Sequence, residues 1–335
     1  MTKKYLVTGG TGFLGRHLLE ILQKKYPDAK PIILVRDKKS WNDCEWTKGL
    51  KVELLEGTFL SREPWHNDPR LKGLDGIFHL GAQVEHARDH AEEIFDTNVE
   101  GTLQMVCLAD EYKCRLVFVS TSGTVGCFRS PKESADEEAP YAEKEVKRWP
   151  YYYSKILAEQ KGRALAQEFG VSLVVIRPPI MLGPGDHRGR STAIVDKIMK
   201  GQVPFLLAGG YHFIDIRDAA CAIVQAMQIP NPKPVYHLCG KVCTLEEFFQ
   251  MLATLGGKPP KKKLSTNMAW FVSSAAKPLF HLFGKKSPLP DPVLVEMASH
   301  YWGTHSRYAE KDLNFHARDP METLKDTVGV SLRSR

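Results

Sequence analysis

A tyrosine and a lysine spaced four residues apart, Tyr151 and Lys155, are the side chains of this sequence best suited to proton transfer. Pro150 favours the first turn of a helix, and residues four apart on a helix share a face, so the spacing predicts that phenol and ammonium converge. A phenol with a pKa of about 10 is a poor acid or base at neutral pH. An ammonium at about 4 Å favours the phenolate by up to about 4 kcal/mol, or about three pKa units, although burial opposes this effect. The pair therefore predicts an acid–base centre, with an ordinary surface contact as the alternative.

Hydroxyl residues stand next to the expected position of this pair. Ser120, Thr121 and Ser122 follow the predicted strand 116–119. The carboxyl ends of strands in a parallel sheet open onto the crevice where such folds bind ligands. One of these hydroxyls can hold a carbonyl oxygen beside Tyr151, whereas simple solvation of the strand end is the alternative.

A glycine-rich segment, residues 8–15 (TGGTGFLG), joins the first predicted strand to the first predicted helix. Gly9 permits a tight turn, Gly12 lets the backbone approach a pyrophosphate, and Gly15 allows the helix to pack closely against the sheet. The helix N-terminus offers free N–H groups and a partial positive charge to phosphates. In this strand–glycine–helix context the segment predicts a dinucleotide site. The residues predicted to line it are Gly9, Thr11, Gly12, Phe13, Leu14 and Gly15.

The choice between NADP and NAD depends on the end of the second predicted strand, 32–35. Arg36 comes first there, and a guanidinium can bind a 2′-phosphate through two hydrogen bonds and stack beneath adenine. Asp37 follows, and NAD sites commonly place an acid at this point to hold the ribose 2′-hydroxyl. Because Lys38 and Lys39 make the cluster basic, the sequence favours NADP bound by Arg36, with NAD as the alternative.

Short apolar runs alternate with helical patterns in the first half of the chain. Strands that are apolar at nearly every position are typical of a parallel sheet covered by helices on both faces, so the sequence predicts an α/β Rossmann fold, a doubly wound parallel sheet. The predicted strands are 5–7, 32–35, 52–55, 76–80, 116–119 and 171–176, and the predicted helices are 13–25, 91–112 and 151–169.

Prolines and glycines become frequent after residue 180, which indicates a second part of the molecule. A strand at 213–216, a helix at 219–227 capped by Asp218, and a strand at 235–238 that returns to the sheet are predicted there. We therefore expect an NAD(P)-binding domain at 1–180 plus about 211–238. A smaller, discontinuous substrate lobe is expected at 181–210 and 239–335.

Composition is that of an ordinary globular protein, with 335 residues, 43% hydrophobic and 25% charged. The net charge of +7 comes from scattered lysines and arginines, so we expect no nucleic-acid partner. The seven cysteines form no Cys-x-x-Cys or paired Cys/His spacing, which predicts free thiols and no metal site. The chain shows no secretory signal and no apolar run of about 18 residues, so a cytoplasmic protein is expected.

The motifs in combination resemble those of the extended short-chain dehydrogenase/reductase family, the NAD-dependent epimerase/dehydratase superfamily. Within it, the sequence is similar to the dihydroflavonol-reductase and 3β-hydroxysteroid-dehydrogenase-like branches. The further matching segments are 79–82 (HLGA), 98–102 (NVEGT), 177–179 (RPP) and 183–185 (GPG).

This resemblance implies roles for individual residues. Tyr151 matches the general acid/base, Lys155 the residue that holds the nicotinamide-ribose hydroxyls, and Ser122 the hydroxyl that orients the substrate. Gly81 is expected near the nicotinamide end of the cofactor. Thr58 stands where many members carry an aspartate that contacts adenine, which puts that contact in doubt.

The resemblance implies an NADP-dependent oxidoreductase that interconverts a carbonyl and a hydroxyl by hydride transfer, acting on a ketone, an aldehyde or a sterol-like hydrophobic substrate. A nucleotide-sugar epimerase or dehydratase with tightly held NAD(P) is the alternative. It is disfavoured because no asparagine stands near Pro178 or Pro179 to grip a sugar diphosphate. A non-catalytic NADP-binding sensor is the second alternative, although a sensor has no need for Ser122, Tyr151 and Lys155 together. The sequence does not determine the oligomeric state, and a homodimer is one of the states that it allows.

The most apolar part of the predicted lobe is residues 268–283. Lysines precede it at Lys258 and 261–263 and follow it at 285–286, and an internal Lys277–Pro278 step argues against a membrane span. Basic flanks around an aromatic amphipathic segment favour contact with a membrane interface. A wall of a hydrophobic substrate pocket and plain core packing are the alternatives.

Overall fold

The computed structural model describes residues 3–85, 91–284 and 287–333, so Lys285 and Lys286 of the predicted basic flank lie outside the described residues. The strands are β1 (Lys4–Thr8), β2 (Lys30–Val35), β3 (Glu53–Glu56), β4 (Gly76–His79), β5 (Arg115–Val119), β6 (Cys127–Phe128), β7 (Leu173–Arg177), β8 (Ile180–Leu182), β9 (Gly210–Asp215), β10 (Val235–His237), β11 (Lys241–Thr244) and β12 (Tyr301–Trp302). The helices are α1 (Phe13–Lys25), α2 (Lys38–Asn42), α3 (Ala91–Phe95), α4 (Gly101–Glu111), α5 (Glu143–Val146), α6 (Pro150–Phe169), α7 (Ala193–Met199), α8 (Ile216–Gln228), α9 (Leu245–Ala253), α10 (Thr266–Leu282), α11 (Pro292–Ala298), α12 (Arg307–Asp312) and α13 (Pro320–Arg333).

A parallel sheet of seven strands, in the order β10-β7-β5-β4-β1-β2-β3, forms the centre of the molecule. Alternate residues of β1 serve opposite faces: Val7 packs with Leu18 and Ile223 of α1 and α8, whereas Leu6 packs with Val106 of α4. Because both faces are covered, nearly every strand position is apolar. The predicted doubly wound Rossmann fold is confirmed.

The helix predicted over 91–112 is present with one interruption. A π-helical turn, Asp96–Glu100, separates α3 from α4. Such turns insert an extra residue into a helix and are frequent at functional sites.

The prediction that Asp218 caps the following helix is wrong. That helix, α8, begins at Ile216 directly after β9, and its N-cap is Asp215, whose carboxylate accepts a hydrogen bond from the Arg217 amide at 2.8 Å. Asp218 lies inside the first turn and accepts hydrogen bonds from the backbone and guanidinium of Arg318.

A second sheet of three strands, β11-β9-β8, lies outside the central one. Residues 213–215 of the strand predicted at 213–216 are therefore part of β9, which pairs with β8 and β11, whereas Ile216 begins α8. As predicted, β10 joins the central sheet beside β7. Phe213 of β9 and Phe248 of α9 are buried in the apolar cluster of this region. Among the described residues, no helix combines the length and the apolarity needed to cross a membrane.

Candidate active site

The glycine-rich turn between β1 and α1 forms a close-fitting backbone cradle. Gly9 has φ +70°, and a Cβ there would lie 2.7 Å from the amide nitrogen of Gly81, which follows β4. A Cβ on Gly15 would lie 2.5 Å from the carbonyl oxygen of Gly9. The helix starts after Gly12, so its first-turn N–H groups have no acceptor within the helix. Free amides at a helix N-terminus, approached closely by glycine backbone, fit a pyrophosphate.

The loop around residues 183–190 covers one side of this cradle. Nε2 of His17 on α1 is hydrogen-bonded to the carbonyl oxygen of Pro184 at 2.9 Å. The Arg188 guanidinium donates a hydrogen bond of 3.2 Å to the Thr11 hydroxyl. Of the other residues predicted to line the site, Phe13 packs edge-on against His17 and Leu14 is buried. The loop therefore brings positive charge beside the first turn of α1.

The end of β2 carries the acidic and the basic candidate for binding the ribose end of the cofactor, Asp37 and Arg36. Asp37 caps α2, because its carboxylate accepts hydrogen bonds from the backbone amides of Lys39 at 2.8 Å and Ser40 at 3.2 Å. Arg36 is exposed at the same edge. Both residues are exposed, but the Asp37 carboxylate already accepts two backbone hydrogen bonds in local structure.

A buried histidine holds together the ends of β1 and β4. His79 Nδ1 is hydrogen-bonded to the Thr8 hydroxyl at 2.7 Å, and its Nε2 to the Thr102 hydroxyl at 3.3 Å. The Gly81 amide donates to the same Thr8 oxygen at 3.1 Å. Burial, with a smaller contribution from the Lys155 charge, lowers the pKa of His79 to about 3. The histidine is therefore neutral at physiological pH and fixes the turn that contains Gly81.

Asn98, in the π-helical turn, connects the segment after β4 to α6. Its Oδ1 accepts from the Gln83 amide at 2.9 Å, and its Nδ2 donates to the Gln83 carbonyl at 3.1 Å and the Ser154 hydroxyl at 2.9 Å. The Ser154 hydroxyl donates in turn to the carbonyl oxygen of Tyr151 at 2.7 Å. This chain of hydrogen bonds fixes the first turn of α6 against the crevice.

Tyr151 and Lys155 both lie on α6, but they do not interact as the spacing suggested. Burial raises the pKa of Tyr151 to about 12, while a hydrogen bond with the Thr121 side chain acts in the opposite direction. Lys155 is 1% exposed, and its ammonium donates a 2.9 Å hydrogen bond to the Val119 carbonyl and lies 4.6 Å from the centre of the Phe118 ring. Burial lowers the pKa of Lys155 to about 7, against a smaller opposing effect of Glu159.

The expectation that Lys155 lowers the pKa of Tyr151 is therefore wrong for this structure. Burial outweighs the Thr121 hydrogen bond at Tyr151 and the Glu159 charge at Lys155, and the Lys155 ammonium is directed at the Val119 carbonyl. The phenol holds its proton at neutral pH and is a proton donor in this state.

The hydroxyl residues after β5 occupy distinct positions. Thr121 caps the short 3₁₀ turn Ser122–Thr124 and also bonds the phenol of Tyr151. Ser122 is buried, and its amide donates to the Pro178 carbonyl at 2.9 Å, which ties the end of β5 to the segment after β7. The family resemblance assigns the substrate-orienting role to Ser122 rather than to Thr121, and that role of Ser122 stays a prediction.

A buried carboxylate that sequence reasoning missed organises this strand end. Glu159 is fully buried and accepts two hydrogen bonds of 3.0 and 2.5 Å on one oxygen from the Arg177 guanidinium. It also accepts from the hydroxyls of Ser120, Thr124 and Tyr141 at 2.5, 3.2 and 3.1 Å. Burial acts to lower the pKa of Arg177, but the Glu159 carboxylate outweighs it and the pKa is raised.

One signal could have identified Glu159. It stands four residues after Lys155 and eight after Tyr151, so all three share a face of α6. A carboxylate on the buried face of a helix needs a cation, and Arg177 at the end of β7 supplies it.

Aromatic side chains form a wall beside the phenol. The rings of Tyr151 and Tyr152 meet edge to face at 5.1 Å between centroids, and Tyr152 stacks on Trp302 at 5.0 Å. Trp149, 1% exposed, packs against both Tyr152 and Trp302. The surface next to the acid–base candidate is therefore largely apolar.

Comparison with known proteins identifies relatives along the whole chain. A putative dihydroflavonol 4-reductase of Synechocystis sp. is 26% identical over 342 aligned residues, which cover 98% of this chain and 93% of that protein. Sterol demethylase protein B of Methylococcus capsulatus is 26% identical over 284 residues, covering 83% and 82%. The crystal structure of gox2253 has the same fold, with a TM-score of 0.81, 24% identity and 99% of each chain covered.

A family profile gives the assignment. The profile described as the NAD dependent epimerase/dehydratase family matches residues 5–239, more than half of the 335-residue chain. The matched region contains the glycine cradle, the strand-end hydroxyls and the Tyr151–Lys155 pair. The chain belongs to the NAD dependent epimerase/dehydratase family and is an NAD(P)-dependent enzyme of the extended short-chain dehydrogenase/reductase type.

Proposed function

We propose that this protein is an NADP-dependent oxidoreductase that interconverts a ketone or aldehyde with the corresponding alcohol. The observation that carries the proposal is the position of Tyr151, a protonated phenol hydrogen-bonded to Thr121 at the carboxyl end of β5. The end of β5 lies beside that of β4, and β4 adjoins β1, which leads into the glycine cradle. A proton donor and a dinucleotide cradle on neighbouring strand ends are the two parts that carbonyl reduction needs.

The residues of the chain have separable tasks in this reaction. When bound, the nicotinamide supplies or accepts the hydride. Tyr151 gives its proton to the carbonyl oxygen as negative charge develops there, and a pKa of about 12 keeps it protonated until then. The hydroxyls of Thr121 and Ser122 hold that oxygen in line with the phenol. Lys155, with its pKa lowered to about 7, holds the ribose and can take part in returning a proton to the phenolate.

The preference for NADP rests on the end of β2. Both residues are exposed, but Asp37 caps α2 through its carboxylate, whereas the Arg36 guanidinium is suited to bind a 2′-phosphate. We also propose that residues 1–180 and 211–238 bind the cofactor, while 181–210 and 239–335 form the substrate lobe.

The substrate is proposed to be a hydrophobic carbonyl compound. The aromatic wall of Tyr152, Trp302 and Trp149 borders the phenol, and an apolar ring system packs well on such a surface. The names of the relatives, a dihydroflavonol 4-reductase and a sterol demethylase protein, point to ring-containing substrates of this kind.

Replacement of the phenol tests the proposal. With Tyr151→Phe, we expect NADPH binding to persist and turnover of ketones, aldehydes or hydroxysteroids to fall by at least about a hundred-fold, measured by cofactor absorbance. Tyr153→Phe is the matched control, because Tyr153 lies on the same helix and its hydroxyl is 3.5 Å from Glu143. Full activity in Tyr151→Phe would refute the assignment. Conversion of a nucleotide sugar without any net change in NADPH absorbance would establish the epimerase or dehydratase alternative instead.

A further inference from the structure

The helix α10 carries large apolar side chains on the side that faces solvent. Phe271 is 66% exposed, Leu279 56%, Leu282 80% and Met268 52%. The buried residues of this helix are the small Ala269 and Ser273. Exposed apolar side chains that occur singly are ordinary, but a contiguous set marks a surface that contacts something else.

The exposed residues form one continuous stripe along the helix. Their spacings of three and four residues place them on a single face. We name this set the α10 stripe: Met268, Phe271, Val272, Ala275, Leu279 and Leu282. Phe283, 68% exposed, extends it by one residue beyond the helix. Plain core packing, one of the alternatives for residues 268–283, is therefore wrong for this face.

Two side chains of α10 that lie away from the stripe are held by carboxylates in α11 or at its N-cap. The indole N–H of Trp270 donates to Glu296 at 3.0 Å, and the ammonium of Lys277 donates to Asp291 at 3.0 Å. A helix on the surface of a globular protein normally buries its apolar face and exposes its polar face. In α10 the buried residues are only the small Ala269 and Ser273, whereas the larger apolar side chains of the α10 stripe face solvent.

Charge around the stripe is positive. Residues 248–290 contain seven lysines and no aspartate or glutamate. Of these lysines, Lys263 pairs with Glu246 and Lys277 with Asp291, whereas Lys258, Lys261 and Lys262 are exposed just before the helix. A second copy of the chain would bring the same positive charge to this face. Anionic lipid headgroups would neutralise it.

We propose that the α10 stripe docks on the surface of a membrane that contains anionic lipids. The helix lies in the interface plane with Phe271 and Leu282 among the acyl chains, and the lysines before it contact the headgroups. This inference is independent of the proposed function, because it requires only the exposed helix and its charge.

Flotation of the full-length protein with lipid vesicles tests the proposal. We expect binding to vesicles of phosphatidylcholine and phosphatidylglycerol, weaker binding to phosphatidylcholine alone, and loss of binding as salt is raised. The double variant Phe271→Ser with Leu282→Ser should weaken binding by about ten-fold or more while Tm stays unchanged, because both side chains face solvent. Phe169→Ser is the matched control. Phe169 is 38% exposed and is the last residue of α6, at the end of that helix away from α10 and α11.

A charge variant gives a second, independent test. Lys261→Gln with Lys262→Gln should reduce binding to anionic vesicles and flatten its salt dependence, and it decides the question if the apolar variant fails to fold. The proposal is overturned if the wild type does not float with anionic vesicles, or if both double variants bind as the wild type does. A solution dimer that the apolar variant dissociates, without vesicle binding, would assign the stripe to a second copy and equally overturn it.

Discussion

Removal of the buried negative charge at Glu159 should destabilise the protein strongly. In Glu159→Gln the side chain keeps its size and an acceptor oxygen, but Arg177, 2% exposed, loses its counter-charge. His237 also contacts Arg177, but mainly because of burial its pKa is lowered to about 3, so it is neutral and compensates nothing. Breaking a buried ion pair from one side costs about 3–5 kcal/mol.

This cost translates into a measurable shift in melting temperature. Unfolding carries about 2.1 cal/mol/K per residue, so a chain of 335 residues has an unfolding entropy of about 0.7 kcal/mol/K. We therefore expect Tm to fall by roughly 4–7 °C for Glu159→Gln. Differential scanning calorimetry measures Tm, and urea unfolding measures the free energy of unfolding.

A double-mutant cycle isolates the charge interaction. Glu159→Gln with Arg177→Met removes both charges, so the double variant should lose less stability than the sum of the two single losses. Glu168→Gln, an exposed site on the same helix, is the control and should change stability by less than about 0.5 kcal/mol. A loss below about 1 kcal/mol in Glu159→Gln, or strictly additive losses in the cycle, would refute this reasoning.

Three further variants test the cofactor site. Gly9→Ala should abolish NADPH binding in calorimetric titration, because the new Cβ would lie 2.7 Å from the Gly81 amide; Gly49→Ala, which has φ +88° but open space, should bind normally. Arg36→Ala should weaken NADPH by about ten-fold or more and NADH little, since only NADPH offers a 2′-phosphate, and equal losses would contradict the assignment. The pKa of Lys155 falls from 10.5 to about 7 on folding, so the native state binds fewer protons between these values. Between pH 7 and 9 the free energy of unfolding of the wild type, measured in urea, should therefore rise relative to that of Lys155→Met by up to about 1.4 kcal/mol per pH unit. A difference that stays constant over this pH range would contradict the lowered pKa of Lys155.

The central sheet was predictable because its physical constraint appears in every strand. Leu6 and Val7 are both buried although they point to opposite faces, and only a sheet covered on both sides requires that. The glycine pattern was predictable for a similar reason, because Gly9 and Gly15 stand where a Cβ would overlap backbone atoms.

The electrostatics of the site could not be predicted from spacing. A separation of four residues placed Tyr151 and Lys155 on one face, but the spacing does not say that the ammonium reaches the Val119 carbonyl. The pKa values of both groups depend on burial, which is a property of the assembled fold. The cap at Asp215 was missed for a related reason, since β9 passes into α8 without an intervening loop.

The π-helical turn Asp96–Glu100 has a consequence for the rotation of the helix on either side of it. An α-helix advances by about 100° per residue, so if the same residues were wound as one uninterrupted α-helix, the two halves would be rotated relative to each other by about that angle. Either Asn98 would then swing away from Gln83, or Met105 would turn out of the core. The π-helical turn changes the rotation between the two halves of the helix. Asn98 can therefore reach Gln83 while Met105 stays buried in the core.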